Sequence, residues 1–315
     1  MIPLVAAFRR LPANVQGALW LVSGGFIFTS TGVMIRLLSE QVESVQTAFF
    51  RAFLSVLMLL PWILSGRVQP WASKRIAGHF WRTAAGTASM VLGFYAVSML
   101  PLGDATAIAF SQPLFSVVVA AAIAGEKVRW RRWTATIVGF IGVLIMVRPG
   151  AGSLQLGALV ALANAAMVAF SILLVKRLSD SETPLMILTQ FAIFSTMMLL
   201  PPALWVWRWP DLWGWTLAIG IASTATVGQY FWVQAFKAGE MSAVAPFEYL
   251  RLPFAVFLGW LIWNETPVIW TYVGAAIVIA SALYIARREQ QLARERRKAE
   301  AARPPPTPPP VQPAP

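Results

Sequence analysis

The sequence predicts an all-α integral membrane protein: ten transmembrane helices in two inverted five-helix repeats, with both termini in the cytoplasm. Three observations predict it. Of the 315 residues, 58% are hydrophobic and only 12% charged, and mean hydropathy is +0.65. Soluble domains carry about 25% charged residues and must cover their surface with polar groups. The apolar residues fall into ten stretches, each near the roughly 20 residues that cross a bilayer core of about 30 Å. Basic residues gather on alternate joins between these stretches.

The spans are placed at 17–38, 46–65, 78–98, 104–124, 133–148, 154–175, 184–204, 214–235, 241–263 and 267–286. Each is read as a helix because lipid offers no water to backbone groups. A barrel would show alternating ten-residue segments rather than continuous apolar ones. The first span is too long for a signal peptide and lacks a small-residue cleavage site after it. The third carries Arg82 near its start, and the fifth is short. Pro113, Pro246 and Pro253 interrupt or bend the fourth and ninth spans, because proline has no N–H to give the helix. Gly139 and Gly142 in the fifth span, and Gly274, Ala275 and Ala282 in the tenth, suit close approach of helix backbones.

Charge orients the set. Twenty of the 25 Lys and Arg residues lie on the side holding both chain ends, including Arg67, Arg75, Arg82, Arg131, Arg132, Lys176 and Arg177. Arg36, Arg148 and Arg208 lie on the other side, and Arg51 and Arg251 fall inside spans. This bias puts both termini in the cytoplasm, which requires an even number of spans. Trp residues near segment ends, such as Trp62, Trp130, Trp205, Trp213 and Trp270, suit interfacial anchoring. The chain divides into a cytoplasmic segment at 1–16, five-helix units at 17–149 and 154–287, and a charged, then proline-rich cytoplasmic tail at 288–315. The tail is expected to be disordered or polyproline-like beyond its first half.

The halves echo each other. LGDATAIAFSQPLF, Leu102 to Phe115, parallels AGEMSAVAPFEYLRLPF, Ala238 to Phe254, and each is followed by an acid at a span end, Glu126 and Glu265. With five spans per half, the second unit enters the membrane upside down, an arrangement common in carriers.

Several classes are excluded. Without cysteine there is no disulfide, thiolate nucleophile or thiolate metal site, and a lone His79 argues against a zinc or haem centre. No cofactor is expected. The net charge of +12 reports cytosolic loops rather than a nucleic-acid partner. A lipid-modifying enzyme would cluster acids or histidines at one interface, and a channel would show a continuous polar stripe. No phosphate loop is present, so any transport is secondary rather than ATP-driven.

Over residues 17–287 the chain resembles the EamA-type carriers of the drug/metabolite transporter superfamily. The resemblance rests on PLGDATAIAFSQPLFSVVVAAAIAGEKVRWRRW (Pro101 to Trp133), GFIGVLIMVRPG (Gly139 to Gly150), EMSAVAPFEYLRLPFAVFLGWLIWNE (Glu240 to Glu265) and FFRAFLS (Phe49 to Ser55). It implies two EamA-like inverted five-helix repeats around a central cavity in the inner (plasma) membrane. The cargo class it implies spans amino acids and their derivatives, nucleosides, riboflavin-like or S-adenosylmethionine-like metabolites, and drugs. The charged Glu248–Arg251 stretch and the tail beyond Glu289 depart from many members.

Charges inside a bilayer are costly and mark pathways, pairs or interface positions. Arg51 reads either as snorkelling to the outer interface or as a handle for a substrate carboxylate or phosphate. Glu248 and Arg251, three apart, share a helix face. They read as an internal ion pair, or as a site where Glu248 holds an amine or a coupling proton. Tyr249 beside them could stack, donate a hydrogen bond or pack. Asn164, Gln190 and Gln229 are cavity candidates or interhelical glue, as are Gln112 and Gln234. Tyr95, Phe94, Tyr230, Trp232 and Trp20 are candidate aromatic walls, or packing. Asp104 and Glu240 are expected to cap helix starts. Glu126 and Glu265 are expected to fasten loops or form gate salt bridges, and His79 to lie at the cytosolic interface.

These readings converge on a secondary carrier of a small polar or zwitterionic metabolite, an amino-acid derivative or S-adenosylmethionine-like, working by alternating access in the lipid bilayer. The alternatives are an efflux carrier for drugs or toxic amphiphilic metabolites, and a non-transport membrane protein. Protons as coupling ion and assembly as a homodimer are the partner expectations left open.

Overall fold

The computed structural model describes residues 11–67, 70, 73, 75–123, 125, 130–148, 154–179, 181–238 and 244–301. The described chain is helical: α1 (Ala13–Leu38), α2 (Ser44–Leu64), α3 (Ile76–Met99), α4 (Leu102–Ala109), α5 (Gln112–Ala122), α6 (Trp130–Val147), α7 (Leu154–Ser179), α8 (Pro184–Trp205), α9 (Leu212–Ala238), a 3-10 turn (Ala245–Leu250), α10 (Arg251–Trp263) and α11 (Ile269–Ala301). Glu126 and Glu240, both expected to act at span ends, lie outside the described residues.

Local chemistry sets the boundaries. Thr183 caps α8, its hydroxyl accepting from Met186 N at 3.2 Å, with Pro184 at the first helical position. Asn264 ends α10 in the left-handed conformation (φ 54°), which asparagine tolerates better than most side chains. The backbone N–H groups of Asn264 and Glu265 return to the carbonyls of Trp260 and Gly259, and this turns Glu265 back towards the bundle. The fourth span is broken as its proline suggested: Phe110 and Ser111 make tight bonds to Ala107 and Ile108, and α5 starts afresh at Gln112–Pro113. The ninth is broken too, running as a 3-10 turn through Glu248 and becoming α-helical at Arg251.

Seven helical segments are long and apolar enough to cross a membrane: Ala13–Leu38, Ser44–Leu64, Leu102–Ala122, Trp130–Val147, Leu156–Leu178, Leu185–Trp205 and Ile269–Arg288. This is an all-α, multi-span membrane protein. The stretches of the other three expected spans form α3, α9 and the turn with α10, which fall outside that length-and-hydropathy measure. They carry Arg82, Gln229, Glu248 and Arg251, polar or charged groups poorly suited to lipid.

The packing pattern has an internal symmetry. α1 lies along α9 as α3 lies along α7, and α3 meets α8 as α2 meets α9. The broken fourth span packs on α7 as the broken ninth packs on α1. Three interfaces, α2 with α8, α6 with α11 and α4 with α10, map onto themselves when the halves are exchanged. Glycine permits a close backbone approach where α6 meets α11: a Cβ on Gly142 would stand 2.9 Å from the Gly274 carbonyl. One apolar cluster joins Phe49, Phe50 and Phe94 to Leu217 and Ile221, and another joins Leu114, Val117 and Val143 to Leu252 and Val278.

Two local expectations are corrected. His79 lies in the first turn of α3 rather than in a loop, fully buried against the bundle with Nε2 3.6 Å from Glu182 Oε1. Asp104 is not a cap: its carboxylate accepts from Thr271 Oγ1 of α11 at 2.7 Å, so it ties two helices instead of satisfying its own helix end.

Candidate functional site

The break in the ninth span places two charges inside the bundle. Glu248 sits in the 3-10 turn and Arg251 begins α10. Both are half-buried. They lie within each other's field but form no direct ion pair, the ion pairs among the described residues being Arg36–Glu265 and His79–Glu182. Glu248 instead accepts a hydrogen bond from the Trp232 side chain of α9. The Arg251 guanidinium stands over the Phe28 ring of α1, 5.4 Å from its centroid, and its Nε is buried with no hydrogen-bond partner.

Gly25 makes this position possible. A Cβ there would lie 2.8 Å from Arg251 Cγ, so the arginine stem crosses α1 only because that position has no side chain. The arrangement offers an acceptor, a donor fork with an unbonded N–H, and aromatic faces from two further helices. A ligand with an amine or other cation at one end and a carboxylate at the other would satisfy both charges.

The other predicted residues are placed in several environments. Tyr249 packs edge-on against Phe110, ring centroids 5.0 Å apart, among apolar neighbours. Its ring therefore supports the Glu248–Arg251 segment from the side of the fourth span. Tyr95 bonds Glu43 at the start of α2, away from that segment. Gln190 is buried and donates from Nε2 to the Pro70 carbonyl, holding the α2–α3 join. Asn164 lies against Gly93, where α3 and α7 cross. Gln229 is exposed on α9, three residues before Trp232. Tyr230 bonds Gln234 Nε2 through its hydroxyl at 2.7 Å, and with Phe231 it forms edge contacts to Trp20. Phe94 is core packing.

Arg51 does not snorkel outward. It turns into the bundle, Nη1 lying 2.6 Å from Met90 Sδ of α3. Arg82, read above as lying near the start of the third span and counted with the cytoplasmic-side charges, is stacked on Phe191 of α8, 4.0 Å from the ring centroid. Its place in the span was legible; its aromatic partner on α8, 109 residues away, was not.

At another face, Arg36 and Glu265 form a bidentate pair, with Nη1–Oε2 at 2.7 Å and Nη2–Oε1 at 2.5 Å. Arg36 also covers the Trp263 ring at 4.4 Å, and Glu265 Oε2 accepts from Leu102 N at 3.4 Å. One carboxylate thus gathers the end of α1, the start of α4 and the α10–α11 join. Glu265 was read as a loop fastener or a gate salt bridge; its partner, 229 residues away, was not foreseen. No group of acids, histidines or cysteines arranged to hold a metal ion occurs among the described residues.

Comparison with known proteins identifies the family along most of the chain. The EamA-like transporter family matches the chain twice, at residues 15–148 and 155–287. An S-adenosylmethionine uptake transporter of Rickettsia prowazekii is 29% identical over 275 residues, covering 87% of this chain and 94% of the relative. A riboflavin transporter of Vibrio cholerae is 28% identical over 280 residues, covering 87% and 93%. A solved crystal structure superimposes with a TM-score of 0.58 over 89% of this chain and 98% of the other, at 15% identity, which shows a shared fold. Matched along both halves, the chain belongs to the EamA-like transporter family of the drug/metabolite transporter superfamily, and it is a membrane transporter rather than an enzyme.

Proposed function

We propose that the protein is a secondary carrier of a small zwitterionic metabolite of the S-adenosylmethionine or amino-acid-derivative class, with Glu248 and Arg251 as the central recognition pair. The observation that carries this reading is the unpaired geometry of two opposite charges at a helix break, flanked by Trp232 and Phe28. A merely structural ion pair would close on itself to offset desolvation. The curated relatives that take up S-adenosylmethionine support the cargo class, since that molecule carries an amine, a sulfonium and a carboxylate.

In this reading the two family units form inverted five-helix repeats, ten spans in all, with both termini on the cytoplasmic side of the inner membrane. The charge bias and the symmetric packing support it. Alternating access then exchanges the two sides around the breaks in the fourth and ninth spans, and Glu248 carries a coupling proton. Asn164, Gln229 and Tyr95 border the path rather than contact the charged ends.

The test is uptake into proteoliposomes of labelled S-adenosylmethionine, riboflavin and amino acids, with and without a proton gradient. Gradient-dependent accumulation of S-adenosylmethionine that disappears in Glu248→Gln supports the full reading. Gradient-independent flux that survives Glu248→Gln makes the pair structural and the coupling wrong.

A further inference from the structure

Arg51 and Arg82 are two cations inside the bundle on adjacent helices, α2 and α3, away from the Glu248–Arg251 segment. Each has been given an inadequate partner. Arg51 meets a thioether, which accepts hydrogen bonds weakly. Arg82 meets the face of Phe191, while its Nε and Nη1 are buried with no hydrogen-bond partner. Among the described residues, no carboxylate forms an ion pair with either arginine.

Helix geometry brings them to a common region. Met90, which Arg51 touches, lies eight residues beyond Arg82 on α3, a rise of about 12 Å. Both guanidinium groups lie against α3 within that interval, and the two charges are close enough to act on each other. The adjoining wall is polar. Thr83 Oγ1 is buried and unbonded, and Thr87 and Ser195 join α3 to α8 by a hydroxyl bond of 2.7 Å. Two like charges held together in a low-dielectric interior, with donors unmet, are costly unless an anion joins them. Guanidinium forks match the planar oxygens of carboxylate and phosphate.

We propose that Arg51 and Arg82 form an oxyanion subsite that takes a carboxylate or phosphate group, with Phe191 holding the Arg82 plane and Thr83 supplying a further donor. The subsite rests on the carrier reading for its purpose, since it would seat the acidic end of a cargo or the headgroup of a lipid. It extends recognition to the α2–α3–α8 side and favours cargo bearing an oxyanion over neutral or purely cationic analogues.

The test uses the full chain in nanodiscs of phosphatidylcholine, with inorganic phosphate as the probe and chloride at matched ionic strength as the reference. Phosphate at ten times its dissociation constant is expected to raise Tm by roughly 3 °C. The rise disappears in Arg51→Gln and in Arg82→Gln, is only partial in Arg82→Lys, which keeps charge but loses the fork, and persists in the exposed-loop variant Arg75→Gln. Should Arg82→Gln fail to fold, Arg82→Lys and Thr83→Val supply the decision through a half-saturating concentration raised several-fold. A parallel set with phosphatidylglycerol identifies the source: a retained anionic lipid seen by native mass spectrometry, and lost in the arginine variants, assigns the subsite to a headgroup. Cargo is assigned instead if added S-adenosylmethionine abolishes the phosphate response and no lipid is retained. No phosphate response, or one equal in every variant, overturns the subsite. A response lost only in Arg251→Gln also overturns it while leaving the carrier reading standing, and loss of transport with the phosphate response intact does the reverse.

Discussion

Glu265→Gln is expected to open one end of the bundle. The wild-type carboxylate holds both terminal nitrogens of Arg36 at 2.7 and 2.5 Å, and each side chain is 20% exposed. An amide accepts through one oxygen only, so the substitution removes one charge-assisted bond and leaves Arg36 uncompensated over Trp263. A charged hydrogen bond contributes about 1.5–3 kcal/mol, and partial exposure puts this one near the lower bound, about 1.5 kcal/mol. Each 1.4 kcal/mol changes a two-state ratio roughly tenfold, so the population open at this end should rise by about that factor. The assay exploits the absence of cysteine from the chain. Val33 is 9% exposed and lies in a small cluster with Leu102 and Ala255 near the pair, and Trp263 packs against that cluster. In sealed vesicles, Val33→Cys should react with an impermeant maleimide about tenfold faster when Glu265→Gln is added, from one membrane side only. The exchanged pair Arg36→Glu with Glu265→Arg should recover most of the wild-type rate. An unchanged rate, or a rise that follows a general fall in Tm from both sides, would refute the idea that this pair holds one end shut.

Three further outcomes are expected. Gly274→Ala places a Cβ against the Gly142 carbonyl and Met146, and backbone cannot yield as a side chain does. A net loss of about 1–2 kcal/mol, after the gain in helix propensity, should appear as a lower Tm. Gly25→Ala meets only the flexible Arg251 stem, so Tm should hold within a few degrees while transport falls roughly tenfold through a displaced guanidinium, measured in proteoliposomes. Asp211, at the start of α9, accepts from Gly214 N at 2.6 Å, and that bond holds its carboxyl below the usual range. Its stabilisation should be complete above about pH 4 and lost as pH falls through the lower folded value, so Asp211→Asn should flatten the acid limb of a Tm-against-pH profile.

Much of the fold was legible because lipid imposes a simple length and polarity requirement. The expected span at 17–38 became Ala13–Leu38, and 184–204 became Pro184–Trp205. The broken fourth and ninth spans followed from Pro113, Pro246 and Pro253, whose missing N–H groups are a local property. Glu248 and Arg251 were legible as a candidate site for the same reason, being charges where charge is costly. Other features depended on partners distant in sequence. The Arg36–Glu265 pair spans 229 residues, and the contact of Gly25 with Arg251 joins the two halves. Arg82 and His79 misled because proximity to a span end does not say whether a side chain turns to water or into the bundle. Asp104 misled because its carboxylate reaches Thr271 of α11 instead of the N–H groups of its own helix start, a partner 167 residues away.

The paired packing has an energetic corollary. Were the two halves identical in sequence, a carrier whose sides exchange roles would hold its inward- and outward-facing forms at equal free energy by symmetry alone. If the halves do exchange roles, any resting preference comes from mismatches between related contacts. α1 crosses α9 through Gly24 and Gly228, whereas α3 crosses α7 through Gly93 and Asn164. Glycine against glycine and glycine against a polar amide resist separation differently, so substitutions here should tilt the conformational bias with little effect on which molecule is bound. Under that same exchange, contacts that map onto themselves, such as Gly142 with Gly274, are expected to set overall stability instead.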